Sequence, residues 1–218
     1  MNLIDYARIL VHRGWIMLLL AVLAAGSAYF LSTQQTPIYR STQKVLIQPS
    51  RNDFGLTEAS RILLNSYEEY LYSELRAATV IDQLRLDMTP SDLLSNVTIQ
   101  ANRDRLTIQI DVDSTDPNQA NDIARAWGNE LERYRNDQNQ QVRREDQIEA
   151  SLQDNARATL NRPRPTINAV AGGVLGLLLG GMIVFVLEYL ESSVLRRRED
   201  VERSLALQVL AAIPDFEG

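Results

Sequence analysis

Ile167 to Leu187 reads INAVAGGVLGLLLGGMIVFVL, and none of these residues is charged. About 21 such residues form a helix roughly 30 Å long, the thickness of a bilayer's hydrocarbon core. The stretch is therefore expected to cross a membrane. Within it Gly172, Gly176 and Gly180 recur every four residues, joined by Gly173 and Gly181. Four residues is just over one helical turn, so these glycines share a face nearly free of side chain. Another helix can approach such a face closely.

That partner has a candidate at the other end of the chain. No charged residue occurs from Gly14 to Tyr39, and Trp15 to Leu31 is almost wholly apolar. Trp15 and Tyr29 stand where interfacial aromatics are expected, and Ala21/Ala25 and Ala24/Ala28 offer small residues at helical spacing. A cleaved signal peptide competes with this reading, with Arg8 and Arg13 ahead of the block and Ala24-Ala25-Gly26-Ser27-Ala28 as cleavage material. The apolar run continues through Tyr29, Phe30 and Leu31, past any such cut, so a spanning helix is expected. Whether the glycine face meets this helix in the same chain or a neighbouring subunit is open.

Basic residues set the orientation. Arg8 and Arg13 precede the first block and Arg196-Arg197-Arg198 follow the second, so both ends are expected on the cytoplasmic side of the membrane. The implied plan is a cytoplasmic N-terminus over 1–14 and a first span over 15–31. An extracytoplasmic domain over 32–165, a second span over 166–188 and a cytoplasmic tail over 189–218 follow. The fold class is α+β, with membrane lipid as solvent for the two helices.

The intervening segment is polar and patterned. Tyr39, Thr42, Val45, Leu46 and Ile47 form a β-prone run between Pro37 and Pro49, and a loop is expected at Arg51–Gly55. From Thr57 to Leu86 apolar residues recur at three and four, predicting helix, with Tyr67, Tyr70 and Tyr72 on buried or amphipathic positions. Val97, Ile99 and Ala101, then Leu106, Ile108, Ile110 and Val112, alternate with polar residues around Asn102-Arg103-Asp104. This is an antiparallel hairpin with one buried face and with Asp111 and Asp113 on a solvated one. Asp116-Pro117-Asn118-Gln119 marks a helix start, with Asp as cap and Gln119 closing a capping box. The stripe Ala120, Ile123, Ala124, Trp127, Leu131 and Tyr134 follows and resumes weakly at Ile148, Leu152, Ala156 and Leu160. One long helix over 117–160 and a helical hairpin turning near Asn136–Asn139 both fit that spacing.

Composition excludes much chemistry. The 218 residues hold 22 Lys+Arg, 28 Asp+Glu, no Cys and one His, His12. Without cysteine there is no disulfide framework, thiolate nucleophile or Cys-ligated metal, and one histidine makes no His-pair site. A net charge of −6 argues against nucleic acid as a partner. No Gly-x-Ser-x-Gly, Gly-x-x-x-x-Gly-Lys-Ser/Thr or His-Glu-x-x-His occurs, so no catalytic residue, cofactor or metal site is expected.

Several stretches in order resemble the polysaccharide co-polymerase family of bacterial chain-length determinants (Wzz type), which includes the membrane adaptors of bacterial tyrosine kinases. They are Asp5-Tyr6 to Trp15 at the first span, Pro37-Ile38-Tyr39 and Asp116-Pro117 with Ala120. Pro163-Arg164-Pro165 stands before the second span, and Glu188 to Arg196, Glu199-Asp200-Val201-Glu202 and Leu207 to Pro214 ("LQVLAAIP") follow it. The resemblance implies an α/β external domain and a homo-oligomeric ring that regulates chain length or export of a surface polysaccharide (capsule, exopolysaccharide or O-antigen) through the polymerase or export machinery, without being an enzyme. The external segment is short beside the lipopolysaccharide regulators, whose long helices project far from the membrane. In fused relatives an "IP"-like stretch leads into a P-loop tyrosine kinase. Here four residues follow Pro214, which resembles the split arrangement in which a small adaptor activates a separate kinase. Ile213, Pro214 and Phe216 would then form the docking tail.

Overall fold

In the computed structural model, which describes residues 3–51 and 53–192, the apolar blocks are helices α1 (Leu3–Thr33) and α6 (Pro165–Ser192). Arg13–Thr33 and Pro165–Leu190 are each long and apolar enough to cross a membrane. The pair forms one compact unit, and residues Gln35–Pro163 form a second.

The second unit is an antiparallel sheet with helices on one face. Its order is β2 (Val97–Asn102), β3 (Thr107–Ser114), β1 (Ile38–Pro49), with β4 (Ile148–Leu152) and β5 (Arg157–Arg162) both on the far edge of β1. β4 pairs with Val45–Pro49 and β5 with Ile38–Thr42. They are two halves of one interrupted strand, with residues 153–156 making an excursion opposite Gln43 and Lys44. Gln43, wholly buried, holds it: its Nε2 donates to the Asp154 carbonyl at 2.6 Å. The Gln153 N–H donates to the Lys44 carbonyl at 2.9 Å.

This corrects the expectation of a helix or helical hairpin through residue 160. Helix α5 (Pro117–Asn139) stops at Asn139, and the chain turns through Arg144–Asp146 into strands. The stop is enforced from the side. Arg135 donates to the Ile148 carbonyl through Nε and Nη2, at 3.1 and 3.0 Å, and Asn139 Nδ2 donates to it at 2.9 Å. The spacing of four at Ile148, Leu152, Ala156 and Leu160 misled because four is also a multiple of the strand period. Ala150 and Ala158 supply the intervening same-face positions.

The helix expected over Thr57–Leu86 is two, α2 (Phe54–Leu71) and α3 (Glu74–Leu84). Ser73 breaks it by turning extended as the cap residue of α3, while its Oγ donates to the Tyr70 carbonyl at 2.9 Å. A short helix α4 (Pro90–Ser95) leads into β2. The core joins Ile47, Ile108 and Ile110 of the sheet to Leu64, Leu71 and Trp127 of the helices. Trp127 is fully buried, and its indole N–H donates to the Leu71 carbonyl at 3.1 Å, fixing α5 to the end of α2. At Gly128 a β-carbon would stand 3.1 Å from Gln43 Cγ and 3.1 Å from Leu152 Cδ2, so glycine sets how closely α5 approaches the sheet.

Asp116 caps α5 by accepting from the Asn118 N–H at 2.9 Å. Gln119 does not close the capping box directly. Ser114 stands between them: its Oγ accepts from the Asp116 N–H at 3.2 Å and donates to Gln119 Oε1 at 2.8 Å.

Candidate functional site

In the helical unit α1 and α6 run antiparallel along the glycine face. A β-carbon on Gly172 would lie 2.8 Å from the Ala24 carbonyl oxygen and 2.8 Å from Ala28 Cβ. On Gly176 it would meet Leu20 O at 2.6 Å and Ala21 Cα at 2.7 Å, and on Gly180 Met17 Cα at 2.8 Å. No β-carbon fits at such distances, so all three glycines face α1 of the same chain. Gly173 is less constrained, with Ala25 Cβ at 3.6 Å. Polar contacts stand toward the two ends of this seam. Asn168 Nδ2 donates to Ser32 Oγ at 2.8 Å, and Arg13 Nε lies 3.9 Å from Glu188 Oε2.

In the α+β unit the helices pack on the sheet face that carries Val45, Ile47, Ile108 and Ile110. The opposite face is polar. Strand register sets Arg40 beside Asp113, Thr42 beside Asp111 and Lys44 beside Gln109. Asp113 accepts from Arg40 Nε and Nη2 at 2.7 Å each, and Arg162 Nη2 lies 3.5 Å away. Hydrogen bonding from Arg40 holds the Asp113 carboxyl below the usual carboxylate range, against the opposing effect of burial. Asp111 accepts from Thr42 Oγ1 and from Gln109 Nε2. These aspartates are thus tied into a network, where the alternation alone suggested free solvated charge. Its signal in the sequence was the pair Arg40 and Thr42, alternating with the buried Ser41 and Gln43.

The tyrosines divide by depth. Tyr67 is buried, Tyr70 half-buried and Tyr72 exposed. Tyr134 stacks on Tyr70 with ring centres 4.1 Å apart and meets Tyr67 edge-on at 6.3 Å. Arg76 lies 5.0 Å over the Tyr70 ring. Burial pushes both Tyr67 and Tyr70 hydroxyls up in pKa, with Arg135 and Arg76 respectively opposing.

Pro165 is the first residue of α6, where its missing N–H costs nothing, and Pro163 ends the α+β unit. Ile213, Pro214, Phe216 and Arg196–Arg198 lie outside the described residues. Among the described residues no group of three or more His, Asp or Glu is placed to hold a metal.

Two helices fit to cross a membrane, on either side of one α+β sheet domain in the sequence, define the class of chain. Proteins named for capsular polysaccharide biosynthesis match the chain over most of its length. The chain is 24% identical over 222 residues to the capsular polysaccharide biosynthesis protein CpsC of Streptococcus pneumoniae, covering 99% of this chain and 94% of that one. It is 23% identical over 207 residues to the probable capsular polysaccharide biosynthesis protein YwqC of Bacillus subtilis, covering 91% and 81%. Against the capsular polysaccharide type 8 biosynthesis protein cap8A of Staphylococcus aureus it is 24% identical over 204 residues, covering 91% and 88%. These capsular polysaccharide biosynthesis proteins are its homologues. No family model matches the chain.

Proposed function

We propose that this chain is an integral protein of the bacterial cell membrane that acts in capsular polysaccharide synthesis by regulating polymer length or export. Its α+β domain lies outside the membrane and both termini lie in the cytoplasm, the orientation favoured by Arg8, Arg13 and Arg196–Arg198. It works as a homo-oligomer beside the polymerase or export machinery and carries out no covalent chemistry. Gly172, Gly176 and Gly180 close the helical hairpin within each subunit, which leaves contacts between subunits to other surfaces.

The observation that carries this reading is the collinear match to CpsC over 99% of the chain. A shared piece would suggest only a shared fold, whereas a match over both helices and the domain between them supports a shared task. Deleting the gene in its native host and sizing the surface polysaccharide by gel filtration tests it. Loss of the long-chain fraction, restored by the full chain, is expected. An unchanged amount and size distribution would sink the reading. Protease added to intact spheroplasts tests the orientation, since it should degrade the domain and spare a tag at either terminus.

A further inference from the structure

We propose that the helix-free face of the sheet binds an anionic glycan chain along a trough centred on Lys44. This rests on the reading above, that the protein handles a surface polysaccharide, and adds where the polymer lies and what charge it carries.

The trough consists of two recesses that share Lys44. One, of about 290 Å³, is bounded by Arg105, Gln100 and Gln109. The other, of about 540 Å³, is bounded by Arg157, Thr42 and Thr159. Together they reach the size of small-ligand clefts. Their charge is uneven. Lys44, Arg105 and Arg157 all line the trough, and none is paired with a carboxylate among the described residues. Asp154 is the one acidic residue lining either recess.

The face's other aspartates do not offset these cations. Asp113 is neutralised by Arg40. Asp111 keeps its charge, its donors Thr42 and Gln109 being neutral, but a second arginine, Arg162, stands 3.5 Å from Asp113 to set against it. Glu149, beside Gln48 on this face, lines neither recess. A positive strip therefore remains on a chain whose net charge is −6. Lys44 is its only lysine, and that lysine sits on the central strand.

The lining also suits carbohydrate better than protein. Protein interfaces have cores enriched in aromatic and apolar side chains. Here Leu46 and Ala101 are the only apolar residues of the lining, and amides and hydroxyls fill the space between the cations. Such groups donate to and accept from sugar hydroxyls, and the cations supply the charge selection.

The test uses the full chain in uncharged phosphatidylcholine nanodiscs, titrated calorimetrically with an oligogalacturonate and with a neutral dextran oligomer of equal length. Oligogalacturonate is expected to bind with an affinity that falls as salt rises, and dextran to bind at least about tenfold more weakly. Lys44→Gln with Arg157→Gln should lower oligogalacturonate affinity about tenfold, two solvent-reachable ionic contacts of somewhat under 1 kcal/mol each, Lys44 half-buried and Arg157 exposed. The Lys44→Arg, Arg157→Lys variant should retain it. Equal binding of dextran, or binding unchanged in the Gln variant, overturns the proposal. So does a change in subunit number in the Gln variant, which would make this face a contact between copies. If binding fails while the deletion strain still loses long-chain polymer, the trough is wrong and the polysaccharide function stands. If the polymer is also unchanged, the functional reading itself has failed.

Discussion

Gly176 on α6 is so close to Ala21 on α1 that a β-carbon built on the glycine would lie 2.7 Å from the Ala21 Cα. The obstruction is backbone, which no rotamer change can clear. Gly176→Leu is therefore expected to force the helices apart, at about 1–3 kcal/mol or more. Unfolding of the full chain in a detergent series should show the variant losing structure earlier. An unchanged midpoint would mean that the two helices do not meet at this point.

Gly173 permits a direct test of whether the seam lies within one chain. Its β-carbon would stand 3.6 Å from Ala25 Cβ, within the range a disulfide spans, and the sequence contains no cysteine to interfere. The double variant Ala25→Cys, Gly173→Cys should form its bond inside one polypeptide. After cleavage in the domain between them, the two fragments should stay together until reduced. A covalent dimer would place the seam between subunits.

Gln43→Ala should destabilise the α+β domain by about 2–3 kcal/mol. It opens a cavity in the core and leaves the Asp154 carbonyl without its donor. Amide exchange at residues 153–156 should rise more than at Val45 or Ile47. A uniform rise would show that Gln43 supports the core without holding the excursion.

Asp113 gives the domain an acid-sensitive element. Its carboxyl is held below its ordinary value of 3.8, foremost by hydrogen bonding to Arg40. A depressed carboxylate stabilises the fold above its unfolded value and loses that contribution as pH falls through its folded one. Asp113→Asn should thus cost about 0.5–1 kcal/mol at pH 7, a partly exposed pair being worth no more. The gap to the native chain should close on acidification below 3.8. A pH-independent gap would assign the loss to packing.

The adaptor role implied by the family resemblance predicts an effect of the tail. In a host with a separate P-loop tyrosine kinase, removing residues 212–218, with Ile213, Pro214 and Phe216, should abolish recovery of that kinase from native membranes. Equal recovery with and without them would end the docking idea.

The elements with a single dominant period were legible in the sequence. Alternation through Val97–Val112 gave the β2–β3 hairpin, and Asp116-Pro117 marked the start of α5 because the cap and the proline act locally. Residues 148–162 were not legible, since a spacing of four suits both helix and strand. What decides between them is the grip of Arg135 and Asn139 on Ile148, a contact between segments. The break at Ser73 had a local cause, yet the apolar pattern ran across it unchanged. The glycine face was plain, but its partner was not, since sequence periodicity does not say which chain supplies the opposing helix. The polar sheet face was hidden for a similar reason: pairing Arg40 with Asp113 requires knowing that residues 73 positions apart share a register.

The split strand on the edge of β1 also orders events during synthesis. β1 is the first strand made, and its partners β4 and β5 are the last, so Ile38 waits for Arg162. Until residue 148 has been translated, one edge of the central strand has no partner and is open to pairing with another chain. Closure across so long a stretch is also slow. A ribosome that stalls before β4 therefore leaves the end of α5 without its hold on Ile148 and one edge of the central strand bare.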